Sequence, residues 1–151
     1  MIFITTGSSL PHDKMIIEMD ALKAMGHFPE HRIYAQIGNG KYIPKNMVWL
    51  RFVGNMEETY KRAEVIISNC GAGTIMENVT KGRKLIVVQN PAITGGHEWE
   101  LVSKLEKLGC LIWCKDVKHL RSCIELAQNK EFVKFIPDKL DINRILGMLE
   151  M

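Results

Sequence analysis

The stretch with the clearest chemical potential reads VIISNCGAGTIME and occupies positions 65–77. The apolar run Val65 to Ile67 is typical of a buried parallel strand, and it leads through a glycine turn into a helix start. Gly71 and Gly73 allow positive φ angles and carry no Cβ, so backbone N–H groups there can approach a ligand closely. The free N–H groups and the positive dipole end of such a helix favour an anion, most naturally a phosphate.

Three interpretations of this turn compete. A Walker loop would end in Gly-Lys-Ser or Gly-Lys-Thr, and the stretch contains no lysine. A dinucleotide-binding fingerprint would place a third glycine at Met76, where it is missing. What remains is a strand, a glycine turn and a helix that hold a diphosphate through backbone groups, or a tight turn of the same kind that binds no ligand.

Composition limits the classes of protein to consider. A chain of 151 residues suits one domain with a sizeable core, and 46% hydrophobic with 25% charged residues is ordinary for a soluble globular protein. The net charge of +3 is mild, and no run of lysine or arginine favours nucleic acid. No apolar stretch approaches the ~20 residues that cross a bilayer. We therefore expect a cytoplasmic protein whose membrane role, if it has one, comes through its surface or a partner.

The cysteines give little indication of metal or disulfide chemistry. Cys70, Cys110, Cys114 and Cys123 lack the paired spacing of a zinc site, and we expect reduced, buried thiols. Cys70 precedes a helix N-terminus, which would lower the pKa of its thiol. Because no base is recognisable beside it, we do not expect a nucleophile.

Strands and helices alternate along the chain. Strands are predicted over residues 1–6, 32–37, 47–53, 65–67, 84–89 and 110–114. Helices are predicted over residues 11–25, 56–63, 74–81, 97–108, 117–128 and 138–149. Pro11 is expected in the first turn of the first helix, and Gly26 and Gly109 just after the ends of theirs. This alternation predicts one α/β domain over residues 1–151, with a Rossmann-like parallel sheet and helices on both faces.

Ligands on such sheets bind beyond the carboxyl ends of the strands. Three features converge on that edge: the turn Gly7-Ser8-Ser9, the turn over residues 69–74, and the loop and helix start over residues 90–100. An unrelated flavodoxin-like signalling domain would need acidic residues at the strand ends, where this chain carries glycines. The histidines at positions 12, 27, 31 and 119 are interpreted as surface or packing residues.

Several motifs carry a resemblance to a known family. They read SNCGAGTIME at 68–77, GRKLIVV at 82–88 and HEWEL at 97–101, together with IFITTG at 2–7 and QIGNGKYIPKN at 36–46. Over roughly residues 1–115 the chain resembles the C-terminal half of glycosyltransferase family 28. The likeness is closest to the stand-alone type, found as the small subunit of the dolichol-linked UDP-N-acetylglucosamine transferase and as the small halves of bacterial exopolysaccharide glycosyltransferase pairs.

The resemblance implies the nucleotide-sugar-binding half of a GT-B enzyme. In the family, the glycine turn at Ala72 to Thr74 cradles the diphosphate, and the segment with His97, Glu98 and Glu100 faces the sugar. The predicted binding residues are Gly7, Ser8, Asn69, Gly71, Ala72, Gly73, Thr74, Glu77, His97, Glu98 and Glu100.

Two roles compete for Glu77. The resemblance implies that its carboxylate bonds the ribose hydroxyls, and two acceptor oxygens do suit a vicinal diol. Thr74, as an N-cap or first-turn residue, stands three positions before Glu77, and that is also the spacing of a capping box. The sequence leaves both roles open.

Two residues depart from the family pattern. Asn69 stands where the family usually has histidine, so asparagine must take over whatever that histidine does. Glu98 stands where the family usually has glutamine, and an acid close to a negatively charged donor could change the sugar accepted or weaken donor binding.

The implied reaction transfers N-acetylglucosamine or another hexose from a UDP-sugar to a lipid-linked acceptor, in polysaccharide or glycolipid biosynthesis. A helix N-terminus can stabilise the departing UDP without a metal, and the chain has no Asp-x-Asp. We therefore expect no metal and no cofactor beyond the donor.

The acceptor site and the base lie in the N-terminal half of single-chain relatives, so we expect a membrane-associated partner subunit and assign no catalytic residue here. A homo-oligomer is left open. The alternative is a non-catalytic enhancer or regulatory subunit.

Overall fold

The computed structural model describes residues 1–7, 10–93 and 98–137. Within these ranges the strands are β1 Ile2–Thr5, β2 Ile33–Gln36, β3 Val48–Leu50, β4 Val65–Asn69, β5 Leu85–Val88 and β6 Ile112–Cys114. The helices are α1 Asp13–Ala24, α2 Met56–Arg62, α3 Ala72–Val79, α4 Glu98–Lys107 and α5 Leu120–Asn129, with a single 3₁₀ turn at Val117–His119 before α5. The helix predicted over residues 138–149 lies outside the described residues.

The strands form one parallel sheet in the order β3-β2-β1-β4-β5-β6. This is the doubly wound order, and it confirms the predicted α/β fold. The chain changes direction across the sheet between β1 and β4, where Thr5 pairs in register with Ser68. A sheet of this kind binds ligands beyond the carboxyl ends of the strands at such a switch point.

Two apolar layers cover the sheet. Ile2 and Ile4 of β1 face a layer that includes Met19 of α1 and Ile124 of α5. Phe3 faces the opposite layer, which includes Ile75 of α3. Because both faces are covered, the central strands read as continuous apolar runs, which is why the sequence predicts them well.

The first helix begins later than predicted. His12 is the N-cap of α1, so Pro11 precedes the cap and the prediction that it lies in the first turn is wrong. His12 is buried, and its ring Nε2 lies 3.0 Å from the carbonyl oxygen of Gln89, which follows strand β5. Burial lowers the pKa of His12, so its imidazole is a neutral packing group.

The predicted glycine stops of two helices are confirmed. Gly26 and Gly109 have φ angles of +84° and +80°, in the left-handed region that favours glycine. After Gly109 the N–H of Cys110 donates to the carbonyl oxygen of Leu105 at 2.9 Å, which closes the end of α4. These turns direct the chain back into the sheet.

Candidate binding site

A pocket of about 230 Å³ lies at the carboxyl ends of β1 and β4. Its walls are the loop after β1, the end of β4 and the first turn of α3, and they include Gly7, Ser68, Asn69, Gly71, Gly73 and Thr74. The structure thus brings five of the predicted site residues together. The volume is below that of pockets that enclose a whole drug-sized ligand, so it suits one part of a ligand, such as a diphosphate.

The N-terminus of α3 opens into this pocket without a side-chain cap. Gly71 is the N-cap residue and makes no side-chain hydrogen bond, and the first turn holds no acidic residue. The first N–H groups of a helix have no partner within the helix. Those of Ala72, Gly73 and Thr74 are therefore suited to an anion.

The two glycines of this turn provide space rather than unusual backbone angles. The φ angle of Gly71 is −164°, which any residue adopts, and Gly73 lies within the helix, so neither glycine uses the positive φ angles that it allows. A Cβ on either residue would meet nothing within 4 Å. A side chain at either position would thus extend into open space.

The helix start also decides between the two roles of Glu77. Because α3 begins at Ala72 after the cap Gly71, Thr74 is a first-turn residue and not the N-cap. A capping box needs its acid at the third helical position, which is Thr74 itself. The capping-box role of Glu77 is therefore wrong, and ribose binding stays a prediction.

Asn69 fastens the loop after β1. Its side-chain Nδ2 donates to the carbonyl oxygens of Thr6 at 3.1 Å and Leu10 at 3.0 Å. Asn90 repeats this arrangement one strand further along, because its Nδ2 donates to the carbonyl oxygen of Pro11 at 3.1 Å. The two asparagines hold one wall of the pocket against the ends of β4 and β5.

Glycines also shape the loop after β1. Gly7 has a φ angle of +75°, and its N–H donates to Thr5 Oγ1 at 3.0 Å. A Cβ on Gly38, in the turn after β2, would lie 2.9 Å from Thr6 Oγ1 and 3.3 Å from the carbonyl oxygen of Gly7. Only glycine at position 38 lets the two turns approach this closely.

Two buried oxygens beside the pocket have no hydrogen-bond partner within the described part of the chain. They are Ser68 Oγ and Asn69 Oδ1, on side chains that are 1% and 6% exposed. Buried polar atoms in proteins are nearly always paired. This end of the pocket therefore suits a ligand that brings hydrogen-bond donors, such as hydroxyl groups.

Cys70 contradicts the expectation of an acidic thiol. Burial, and to a lesser extent the nearby carboxylate of Glu98, raise the pKa of the Cys70 thiol to about 12. Desolvation thus outweighs the effect of the adjacent helix N-terminus. The thiol is protonated at neutral pH and makes a poor nucleophile. All four cysteines are free thiols, but only Cys110 and Cys114 are buried, whereas Cys70 and Cys123 are half-buried, so the prediction of burial is wrong for these two.

Glu77 is exposed on α3, one turn after Thr74, and lies beside Glu57 of α2. Glu57 Oε1 is 2.6 Å from both Lys81 Nζ and Arg83 Nη2. These contacts lower the pKa of Glu57 to about 2, and the contact with Arg83 has the larger effect. The pKa of Glu77 is raised, mainly by burial and then by Glu57.

The remaining predicted site residues that the structure describes are not part of the pocket wall. Glu98 begins α4, and its Oε2 is buried without a partner among the described residues, close to Cys70. Glu100 is exposed and lines a different groove, together with Trp99 and Trp113. Ser8 and His97 lie outside the described residues.

Other surfaces lack these features. A larger groove of about 570 Å³ between α2 and the edge strand β3 is lined mainly by apolar residues and contains no glycine turn. Over residues 1–7, 10–93 and 98–137, no group of three His, Cys, Asp or Glu side chains could hold a metal ion. In the same ranges, no helix has the length and apolar character needed to cross a bilayer.

Comparison with known proteins decides the family. The Glycosyltransferase family 28 C-terminal domain matches residues 1–131. The chain belongs to this family. The family match covers every described strand and helix and therefore the whole pocket.

The relatives found by sequence similarity include a transferase subunit and a longer transferase. The human UDP-N-acetylglucosamine transferase subunit ALG13 is 29% identical over 122 residues, which are 75% of this chain and 11% of the relative. The UDP-N-acetylglucosamine--N-acetylmuramyl-(pentapeptide) pyrophosphoryl-undecaprenol N-acetylglucosamine transferase of Sulfurihydrogenibium sp. is 33% identical over 91 residues, 58% of this chain and 26% of the relative. The chain thus spans a minor part of both relatives.

A solved structure shows the same fold. The crystal structure of Acinetobacter baumannii MurG matches with a TM-score of 0.63 and 18% sequence identity, over 98% of this chain and 49% of that one. The prediction that the chain has the fold of one half of a GT-B glycosyltransferase is confirmed.

Two residues in the surroundings of the pocket, Asn90 and Glu57, had no predicted role. Asn90 was assigned only to a loop, and Glu57 only to a short helix. The position of Asn90 could have indicated its role, because Asn90 stands two residues after the end of β5 and Asn69 is the last residue of β4. No sequence pattern indicated the role of Glu57. Its contacts with Glu77, Lys81 and Arg83 depend on how α2 packs against α3.

Proposed function

We propose that this chain is the UDP-sugar-binding subunit of a two-component glycosyltransferase. The observation that carries the proposal is the uncapped N-terminus of α3, which opens into a pocket at the switch point of the sheet. An uncapped helix start binds a diphosphate through backbone N–H groups and its dipole. The names of the relatives, which include UDP-N-acetylglucosamine transferases, support a UDP-sugar as the ligand.

The diphosphate would accept hydrogen bonds from the N–H groups of Ala72, Gly73 and Thr74. When the sugar leaves, negative charge develops on the β-phosphate, and a preorganised helix N-terminus stabilises that charge. This contribution needs no movement of side chains, because the groups belong to the backbone.

A carboxylate would contact the donor at each end, one at the ribose and one at the transferred sugar. Glu77 would accept both hydroxyl hydrogens of the ribose. Glu98, with His97, would face the sugar, while Gly7 in the loop after β1 and Asn69 at the end of β4 would border it. Ser68 Oγ and Asn69 Oδ1 support a hydroxyl-rich group at that end of the pocket.

The acceptor and the base would come from a membrane-associated partner. The human relative is named as a subunit, and the bacterial relative is named for a lipid-linked substrate, pyrophosphoryl-undecaprenol. In this assignment the present chain supplies donor binding and leaving-group stabilisation. N-acetylglucosamine is the favoured sugar, because both relatives are named for it.

Ligand binding tests the donor site. UDP and UDP-N-acetylglucosamine should each raise the melting temperature of the full chain in a concentration-dependent way, because a ligand that binds only the folded state stabilises it. Uridine, which lacks the diphosphate, is the matched control and should have little effect. Equal stabilisation by uridine, or none by UDP, would refute a diphosphate site at α3.

A transfer assay separates an enzyme subunit from an enhancer. The chain is purified together with its partner, and sugar transfer is measured with the wild-type chain and with Glu77→Ala. Loss of a ribose contact should lower kcat/KM for the donor by roughly tenfold or more. Transfer that does not change with Glu77→Ala would assign donor binding to the partner and leave this chain a regulatory role.

A further inference from the structure

Two asparagines at the ends of neighbouring strands hold the loop after β1, and they differ in one acceptor atom. Asn90 is fully hydrogen-bonded, because its Nδ2 donates to the carbonyl oxygen of Pro11 at 3.1 Å and its Oδ1 accepts from the N–H of Ala92 at 3.0 Å. Asn69 holds the same loop through its Nδ2, but its Oδ1 has no partner among the described residues. The side chain of Asn69 is only 6% exposed, so water does not freely compensate this oxygen.

The orientation of the Asn69 amide is determined by its own donors. A side-chain amide has two N–H hydrogens and one oxygen. Nδ2 uses both hydrogens, because it donates to the carbonyl oxygens of Thr6 at 3.1 Å and Leu10 at 3.0 Å. A flipped amide would place Oδ1 against these two carbonyl oxygens, which offer no hydrogen to it. Oδ1 is therefore a fixed acceptor at the end of β4.

The surroundings of this oxygen select the kind of group that can pair with it. Asn69 and Ser68 both line the pocket, and Ser68 Oγ is also buried without a partner in the described part of the chain. A phosphate brings oxygen acceptors, which an amide oxygen cannot bind, whereas a sugar hydroxyl brings a donor hydrogen. The free N–H groups at the start of α3 have the opposite preference. The two sides of the pocket thus suit different parts of one ligand.

We propose that Asn69 is a specificity-determining residue, whose Oδ1 accepts the hydrogen of one hydroxyl group of the transferred sugar. This inference rests on the proposed function of the pocket. It adds that hydrogen-bond polarity sets the direction of the donor, with the diphosphate at the start of α3 and the sugar at the end of β4. A sugar that lacks this hydroxyl leaves Oδ1 buried and unpaired, and a site built for a hydroxyl rejects such an analogue.

Titration of the full chain with a series of donors tests this assignment. UDP-N-acetylglucosamine is compared with its 3-deoxy, 4-deoxy and 6-deoxy forms, each of which lacks one sugar hydroxyl. At least one of the three should bind the wild type roughly tenfold more weakly than the parent donor. UDP has no transferred sugar, so its affinity reports the diphosphate and nucleoside contacts alone.

Two matched variants identify the side chain responsible. Asn69→Ala removes the fixed oxygen, so the parent donor and the discriminated deoxy donor should then bind with equal affinity. Asn90→Ala is the control, because it also releases the loop after β1 but removes an oxygen that is already paired with Ala92. It should weaken both donors by the same factor and keep the tenfold ratio. Each ratio is taken within one variant, so a loosened loop cancels.

The outcomes separate this inference from the proposed function. If UDP binds but the wild type does not distinguish the parent from any deoxy donor, Asn69 has no such role and the diphosphate site stands. A tenfold ratio that persists in Asn69→Ala, or that disappears in Asn90→Ala as well, would also overturn the assignment. The wild-type series is decisive even if Asn69→Ala does not fold. Failure of UDP to bind the wild-type chain would overturn the proposed function and this inference with it.

Discussion

Helices α2 and α3 pack into the same apolar layer, yet their N-termini are built in opposite ways. α2 follows Asn55, whose Oδ1 accepts a hydrogen bond from the N–H of Glu58 at 3.0 Å, and its first turn carries Glu57 and Glu58. α3 follows Gly71, has no side-chain cap and has no acidic residue in its first turn.

The difference separates a structural helix start from one that can bind a ligand. A side-chain cap and first-turn acids satisfy the N–H groups and balance the dipole from within the protein. At α2 this leaves nothing for a ligand. At α3 both the N–H groups and the dipole remain unbalanced, although a cap there would stabilise the helix. Stability is commonly given up at a functional site in this way.

A side-chain cap at α3, like the one at α2, should remove the difference between the two helix starts. Gly71→Asp places a carboxylate at the N-cap, a position whose extended backbone accepts any residue. We expect affinity for UDP to fall by roughly a hundredfold, because the new charge takes the site of the diphosphate. Thermal stability should hold or rise slightly. Titration calorimetry and melting curves measure the two effects.

Gly71→Asn is the control that separates charge from occupancy. Asparagine can cap the helix without adding charge, so it should weaken UDP binding less than aspartate does. If both variants bind UDP as tightly as the wild type, the anion does not bind at this helix start.

Substitutions at the two N-cap positions, Asn55 and Gly71, test the same difference through the free energy of unfolding. Asn55→Ala should lower the free energy of unfolding by about 1 kcal/mol, because it removes the hydrogen bond to Glu58 N. Gly71→Ser should hold or slightly raise it, because serine can cap the helix and no side-chain cap is lost there. Urea denaturation gives both values. Equal losses at the two positions would contradict the claim that only α2 is capped.

The smallest expected effect concerns the charge in the first turn of α2. The pKa of Glu57 lies at about 2 in the folded chain against an ordinary value of 4.5. A carboxyl whose pKa is depressed on folding stabilises the protein above its unfolded pKa and loses that contribution as pH falls. Glu57→Gln should therefore lower the melting temperature at pH 7. The difference from the wild type should shrink below pH 4.5 and vanish near pH 2.

Most elements of the fold were predictable from the sequence because their signals are local. Each predicted strand within the described residues is present, since a strand covered on both faces must be apolar along its length. Gly26 and Gly109 marked helix ends because few other residues adopt their φ angles. The starts of α1 and α3 were misplaced by two residues, because a helix start depends on the loop that leads into it.

The candidate site was predictable in part. The turn over residues 69–74 and Gly7 were placed together correctly, because the carboxyl ends of parallel strands share one edge of the sheet. The thiol of Cys70 was misjudged, since its pKa depends on burial and on Glu98, which is distant in sequence. The capping-box role of Glu77 failed for a local reason, the position of the N-cap.

Residue order was sufficient for the alternation of strands and helices, the glycine turns and the anion-binding character of the stretch at 65–77, because each depends on neighbours along the chain. The contact of Glu57 with Glu77, the fastening of Thr6 and Leu10 by Asn69, and the burial of Cys70 are properties of the folded molecule. They join residues up to 63 positions apart. Distances and desolvation between such residues exist only once the sheet and its helices have packed, so only the tertiary structure decides them.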